Sequence, residues 1–187
     1  MKTISTKSGK TLIFRPPQPN DLQALFKYAK AIEAEDTFIL LNPQEPVTYQ
    51  EEEKYLASIL KAIKTNQKVH MLVIDGQKIV GACHVEKRGR RQGHVGIFGI
   101  ALLKDYRSEG MGKQLAEYVI SQAQQKLQLN QVMLDCLATN LIALKFYKSL
   151  GFTEYGRQPQ AFFYKGKYVD KVLFYKHLQW SSTQLNN

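Results

Sequence analysis

Residues 102–120 read LLKDYRSEGMGKQLAEYVI: an apolar run ending in charge, two glycines one residue apart, and an amphipathic helix that begins at once. Glycine weakens a helix interior, so a pair of them at a helix start needs another cause. A helix N-terminus exposes unpaired N–H groups and the positive end of its dipole, and glycines there let an anion reach the main chain without meeting a Cβ. Strand–RSEGMGK–helix therefore reads as a candidate diphosphate cradle, or else as a tight turn whose glycines answer only to sterics. It is not a Walker A loop, because Gln114 follows Lys113 where that loop carries Ser or Thr. Nor is it a dinucleotide fingerprint, because Leu115 stands where the third glycine belongs. What remains is the spacing Arg107-x-x-Gly110-x-Gly112.

On the N-terminal side of this stretch, KTLIFR reads as a strand stopped by Pro16, Pro17 and Pro19. Asn20 with Gln23, and Thr48 with Glu51, are two capping signatures that open helices. In the second helix Tyr55, Leu56, Ile59, Leu60 and Ile63 recur at helical spacing, and DTFILLNPQEP between the helices is a loop or short extended piece. VHMLVIDGQKIVGACHVEK is a hairpin turning at Asp75-Gly76, and HVGIFGIALL is a third, largely apolar strand. The helix after the glycines carries Leu115, Val119, Ala123 and Leu127 along one face. QVMLDCLA is a buried strand, NLIALKFYKSLG a short helix capped by Asn140 and ended by Gly151, and two closing strands follow around YKGKY. The order predicts an α+β, or mixed α/β, domain: a twisted central sheet flanked by helices, changing from antiparallel to parallel near the glycines. The domain is expected over 1–180, with a frayed tail at 181–187.

The chain has 187 residues and a formal charge of +10, an excess that favours anionic partners without choosing one. Cys83 and Cys136 sit singly in apolar strands without CxxC spacing, so neither a zinc site nor a redox pair is expected, and no metal. MKTISTKSGK lacks the apolar core of a signal peptide, and no apolar run approaches the ~18 residues that span a bilayer. The expectation is a cytoplasmic protein without a membrane partner.

With the glycine spacing and a second segment side by side, the chain resembles the GNAT superfamily of acetyl-CoA-dependent N-acetyltransferases. Arg107, Gly110 and Gly112 match its [Q/R]-x-x-G-x-[G/A] signature after an apolar strand. NLIALKFYKSLGF matches its Asn-x-x-Ala-x-x-x-Tyr-x-x-x-Gly-Phe segment at Asn140, Ala143, Tyr147, Gly151 and Phe152. The resemblance covers roughly residues 70–177 and implies a job for each matching position. Ile100, Ala101 and Leu102 would line the acetyl and pantetheine arm, with Ile100 and Leu102 offering main-chain hydrogen bonds. The N–H groups across Arg107, Ser108, Glu109, Gly110, Met111, Gly112 and Lys113 would hold the diphosphate. Asn140 and Ala143 would meet the pantetheine, Asn140 also capping its helix, and Tyr147 would lie near the thioester sulfur.

Acetyl transfer to an amine needs a neutral nucleophile, although a free alkylammonium has a pKa near ~10.4. It also needs a fixed N–H for the developing oxyanion and a proton for the departing thiolate. The resemblance makes Tyr147 the general acid; its plainer reading is a core tyrosine. For the base, HVGIFGIALL offers no carboxylate, while Asp135 is a charge in an otherwise apolar strand and is the first candidate. His84, Glu86, Glu33 and Glu35 follow. His70 and His94 read as strand-edge residues without a role.

The activity so implied is transfer from acetyl-CoA, as co-substrate, to a primary amine by direct attack in a ternary complex. The acceptor would be a small molecule of amino acid or polyamine type, and the protein a monomer or homodimer. A protein N-terminus or lysine is the alternative acceptor, since the acceptor side is built from the helical segment 19–64 with its acids Glu33, Glu35, Asp36 and Glu45. An acyl-CoA sensor without catalysis is a reading of another class. An RNA reader would interleave aromatic with basic residues, and KRGRR at 87–91 contains no aromatic, so no nucleic acid is expected.

Overall fold

The computed structural model describes residues 1–38 and 43–179. The expected frayed tail at 181–187 and the ILLN part of the DTFILLNPQEP segment lie outside the described residues. One eight-stranded sheet runs in the order β1-β2-β3-β4-β5-β6-β8-β7. Its strands are β1 (Lys2–Ser5), β2 (Thr11–Arg15), β3 (Lys68–Asp75), β4 (Lys78–Lys87), β5 (Val95–Leu102), β6 (Gln131–Leu137), β7 (Thr153–Tyr164) and β8 (Lys167–His177). Among the described residues four α-helices accompany it: α1 (Leu22–Ala34), α2 (Tyr49–Lys64), α3 (Met111–Leu127) and α4 (Leu141–Ser149). The architecture is the mixed α/β one that the sequence predicts. Among the described residues no helix is long and apolar enough to cross a membrane.

Several elements follow directly from local chemistry. The Thr48 hydroxyl accepts from the Glu51 N–H at 3.3 Å while Glu51 Oε2 accepts from the Thr48 N–H at 2.9 Å, so the expected capping box opens α2. The first helix starts differently from the expectation. The prolines hold 19–21 in a single 3-10 turn, and Asp21 rather than Asn20 takes the polar role, accepting from the Gln18 N–H at 2.7 Å. Arg15 then closes on Asp21 at 2.7 Å. Strand β1 was not expected; it pairs antiparallel with β2 through a turn at Thr6–Lys10.

The sheet separates two apolar layers. On one face α3 seats Leu115, Val119, Ala123 and Leu127, all at most 2% exposed, against Val73, Val85 and Phe98. Each such Leu or Val is worth about 1.5–3 kcal/mol when fully buried. On the other face α1 and α2 place Leu25 and Leu56 over Leu72, Ile74 and Ile79. Cys83 and Cys136 are buried free thiols, as expected. His70 corrects the edge reading: β3 is an interior strand, and His70 is 3% exposed.

Every neighbouring pair is antiparallel except β5–β6, and that parallel pair is short. It holds Val95↔Gln131, Gly96↔Val132 and Ile97↔Met133, and then the two strands part. β4, by contrast, stays paired with β5 as far as Leu102. The second half of β5 is thus left with one open edge in the middle of the sheet.

Candidate active site

The hydrogen-bond parity of β5 decides which groups face that opening. The Arg88 N–H donates to the Val95 carbonyl at 2.9 Å and the Leu103 N–H donates to the Val80 carbonyl at 3.0 Å. In an antiparallel ladder such pairs recur at every second residue. Residues 95, 97, 99, 101 and 103 therefore spend their main-chain groups on β4, while Phe98, Ile100 and Leu102 turn theirs to the split. Ile100 and Leu102 are in place for an added chain of amide-bearing ligand. Ala101 is not: its carbonyl faces β4 and also accepts from the Tyr28 hydroxyl at 3.0 Å. The Leu102 carbonyl is already taken by Arg107 Nε at 2.9 Å, which leaves the Ile100 N–H and C=O and the Leu102 N–H.

Beyond Leu102 the chain turns into the mouth of α3. Ser108 has φ 64° and Gly110 φ 78°, both left-handed, so the loop bends its amides back over the helix end. A Cβ placed on Gly110 would meet only the Lys7 Cε, at 3.5 Å. A Cβ on Gly112 would press to 3.3 Å from Leu102 Cδ1. The main chain at Gly110 is thus open apart from one lysine, which leaves room for an anion to approach it. Met111, the first residue of α3, is fully buried and anchors the turn.

Polar contacts brace this loop from two sides. Arg107 pairs with Glu35, and the Lys104 N–H donates to Glu35 Oε1 at 2.8 Å, tying the loop to the end of α1. Glu109 Oε2 accepts from the Ser8 N–H at 3.0 Å, which brings the β1–β2 turn and Lys7 against the loop and holds the Glu109 carboxyl below its usual range. Lys113 lies 3.9 Å from Glu117. The contributions of Glu35, Ser8 and Lys7 were not read from the sequence, because they depend on contacts between residues far apart in the chain. Glu35, a candidate base there, is occupied as a brace.

Tyr147 projects from α4 into the α3 layer, 9% exposed, among Phe98, Phe152 and Phe174 with ring centroids 6.1–6.3 Å away. Burial, reinforced by Cys136, Cys83 and Asp135, raises its hydroxyl well above 10, so it keeps its proton at neutral pH. Asn140 Oδ1 accepts from the Ala143 N–H at 3.1 Å, capping α4 as expected.

Asp135 is exposed on β6, and its carboxylate lies 4.0 Å from Lys171 Nζ. Two residues past the last paired couple, Ile97↔Met133, come Gly99 and Asp135, so these two mark opposite lips of the split on the α1–α2 face. On the Gly99 lip lies His84. A Cβ at Gly99 would come 2.6 Å from the His84 Cε1, so glycine is what lets that ring lie over β5. His84 stacks on His70 with centroids 5.5 Å apart and planes at 13°, and neither His70 nitrogen has a partner. Burial and the nearby Lys68 cation lower His84 to about 4, against the opposing pull of Glu86. Burial, His84 and Lys68 also hold His70 well below its ordinary value. Glu33 accepts from Lys30 at 2.7 Å and from the Val47 N–H at 3.0 Å, away from the split. Among the described residues no cluster of His, Cys, Asp or Glu is placed to hold a metal ion.

Residues 34–152 match the family model described as Acetyltransferase (GNAT) family. The chain belongs to the GNAT acetyltransferase family. GNAT membership makes it an acetyl-CoA-dependent N-acetyltransferase. A search of curated proteins finds no match. Solved structures share the fold. A GNAT-family acetyltransferase from Streptococcus pneumoniae has TM-score 0.79 at 26% identity, covering 90% of this chain and 99% of that one. The ribosomal-protein-S5-alanine acetyltransferase of Vibrio fischeri has TM-score 0.79 at 18% identity, covering 95% and 97%. Spermidine N-acetyltransferase from Vibrio cholerae, in complex with CoA and spermine, has TM-score 0.70 at 21% identity, covering 89% and 95%.

Proposed function

We propose that this GNAT enzyme moves the acetyl group of acetyl-CoA to a primary amine of a small molecule, of amino acid or polyamine type, by direct attack in the cytoplasm. The observation that carries the reading is the parting of β5 from β6 immediately before a glycine-lined helix mouth. The free Ile100 groups and the Leu102 N–H would grip the pantetheine arm, and the amides from Ser108 to Lys113 the diphosphate, the Arg107 N–H being already donated to the Lys104 carbonyl at 3.1 Å. The Ile100 N–H, fixed in a paired strand and turned to the split, would donate to the developing oxyanion without reorganisation.

The split separates two proton-handling faces. Tyr147, on the α3–α4 side, holds its proton through burial and would pass it to the departing thiolate. Asp135, on the α1–α2 side, would take the ammonium proton through an ordered water or directly. His84 on the facing lip is the second candidate, but a ring held near 4 is a weak proton acceptor for an amine. Thiol release from acetyl-CoA, followed over a panel of amino acids, polyamines and peptides with free N-termini, tests the reading. Turnover with small amines supports it, turnover with peptides alone replaces the acceptor class, and no turnover with any amine removes it.

A further inference from the structure

The α1–α2 side of the sheet holds a carboxylate that the chain does not neutralise. Glu52 lies one turn before Leu56 on α2 and is 6% exposed. Its side chain makes no hydrogen bond or ion pair among the described residues. The other buried acids are partnered, Asp21 by Arg15 at 2.7 Å and Glu33 by Lys30 at 2.7 Å. Among the described residues, the only sealed side-chain nitrogens or oxygens without a partner belong to His70, so the Glu52 oxygens keep a path to solvent. Burial holds this carboxyl above its usual range, as a desolvated charge without a counter-ion must be.

What surrounds Glu52 suits one kind of ligand. Tyr49 and Tyr55 flank it three residues to either side, 47% and 43% exposed, and Phe26 of α1 meets the Tyr49 ring edge-on at 5.3 Å. Burial, and then the charges of Glu52 and Glu86, raise the Tyr55 hydroxyl. Tyr55 in turn acts on Tyr28, whose hydroxyl reaches the Ala101 carbonyl on β5 at 3.0 Å. Lys68 lies 5.8 Å from the Tyr55 ring, but its charge is held by Glu86 at 2.8 Å. A hard metal ion wants several oxygen ligands, and one carboxylate between aromatic rings offers too few. An alkylammonium wants a negative charge and π faces.

We propose that Glu52 binds a second positively charged group of the acceptor, remote from the amine that is acetylated, so that the enzyme selects diamines and polyamines over singly charged amines. This rests on the acyl-transfer reading of the β5–β6 split. The test compares 1,4-diaminobutane with n-butylamine for wild type, Glu52→Gln and Glu52→Asp. Wild type should have a KM for the diamine roughly tenfold below that for the monoamine, the scale of one charge-assisted contact. Glu52→Gln should remove that preference by raising the diamine KM alone, with kcat kept, and Glu52→Asp should restore part of it. Without ligand, Glu52→Gln should leave Tm unchanged or raise it, because an unpaired desolvated charge is gone.

A wild type indifferent to the second amine overturns the proposal. So does a Gln variant whose two KM values rise together or whose Tm falls by several degrees. If no amine is acetylated at all, the acyl-transfer reading fails by itself. Calorimetric titration of 1,4-diaminobutane then still decides on Glu52: binding lost in the Gln variant upholds the site, and equal binding overturns it.

Discussion

Lowering the pH from 7 to 5 should cost this protein stability through the His70–His84 stack. His84 titrates at about 4 in the folded chain, against about 6.5 when unfolded. Between those values the unfolded chain carries a proton that the folded chain refuses, so stability falls as the pH falls through that window. From pH 7 to 5 the loss is about 2 kcal/mol for His84, and His70, which burial also holds below its ordinary value, acts in the same direction. Lys68 and Glu86, paired at 2.8 Å, are the charged neighbours. With a urea m-value of about 2 kcal/mol/M, the His84 contribution alone moves the unfolding midpoint down by about 1 M. Urea titrations at pH 7, 6 and 5 measure this, beside a His70→Leu/His84→Leu double variant that should be nearly flat. A wild-type midpoint that moves by less than about 0.5 M, or a double variant that moves as far as wild type, refutes the argument.

Three further outcomes follow from the site and its supports. Tyr147→Phe should lower kcat by about a hundredfold or more, with CoA affinity by calorimetry nearly kept; wild-type turnover would strip Tyr147 of its proposed role. Gly110→Trp should abolish CoA binding, since the left-handed backbone resists a side chain and the indole would fill the mouth; undiminished binding would move the diphosphate elsewhere. Thr48→Ala should cost about 1 kcal/mol in urea unfolding by opening the capping box, while CoA affinity stays put.

How much of this was legible in the sequence depends on the range of the interaction. The Thr48–Glu51 box, the Asp75-Gly76 turn and the α3 stripe are written in neighbouring residues, and all three stand as read. The start of α1 was misplaced because three prolines and Arg15 together favour Asp21 over Asn20. Strand β1 carries little apolar alternation, with Ile4 its one buried residue, so only pairing with β2 defines it. His70 was assigned to an edge because strand order across the sheet is set by long-range pairing. Glu52 looks like one more surface acid in EEE, yet it shares helical spacing with Leu56 and Ile59, a signal that could have marked it as facing inward.

The grip of Glu35 on Arg107 and on the Lys104 amide has a consequence for how the two substrates meet. These contacts join the last turn of α1 to the loop at the α3 mouth, so a shift of one is felt by the other. With CoA at that loop and the acceptor beside α1 as proposed, each substrate should tighten the hold on the other, and by the same factor. Affinities measured for either partner alone will understate the complex in which both are present.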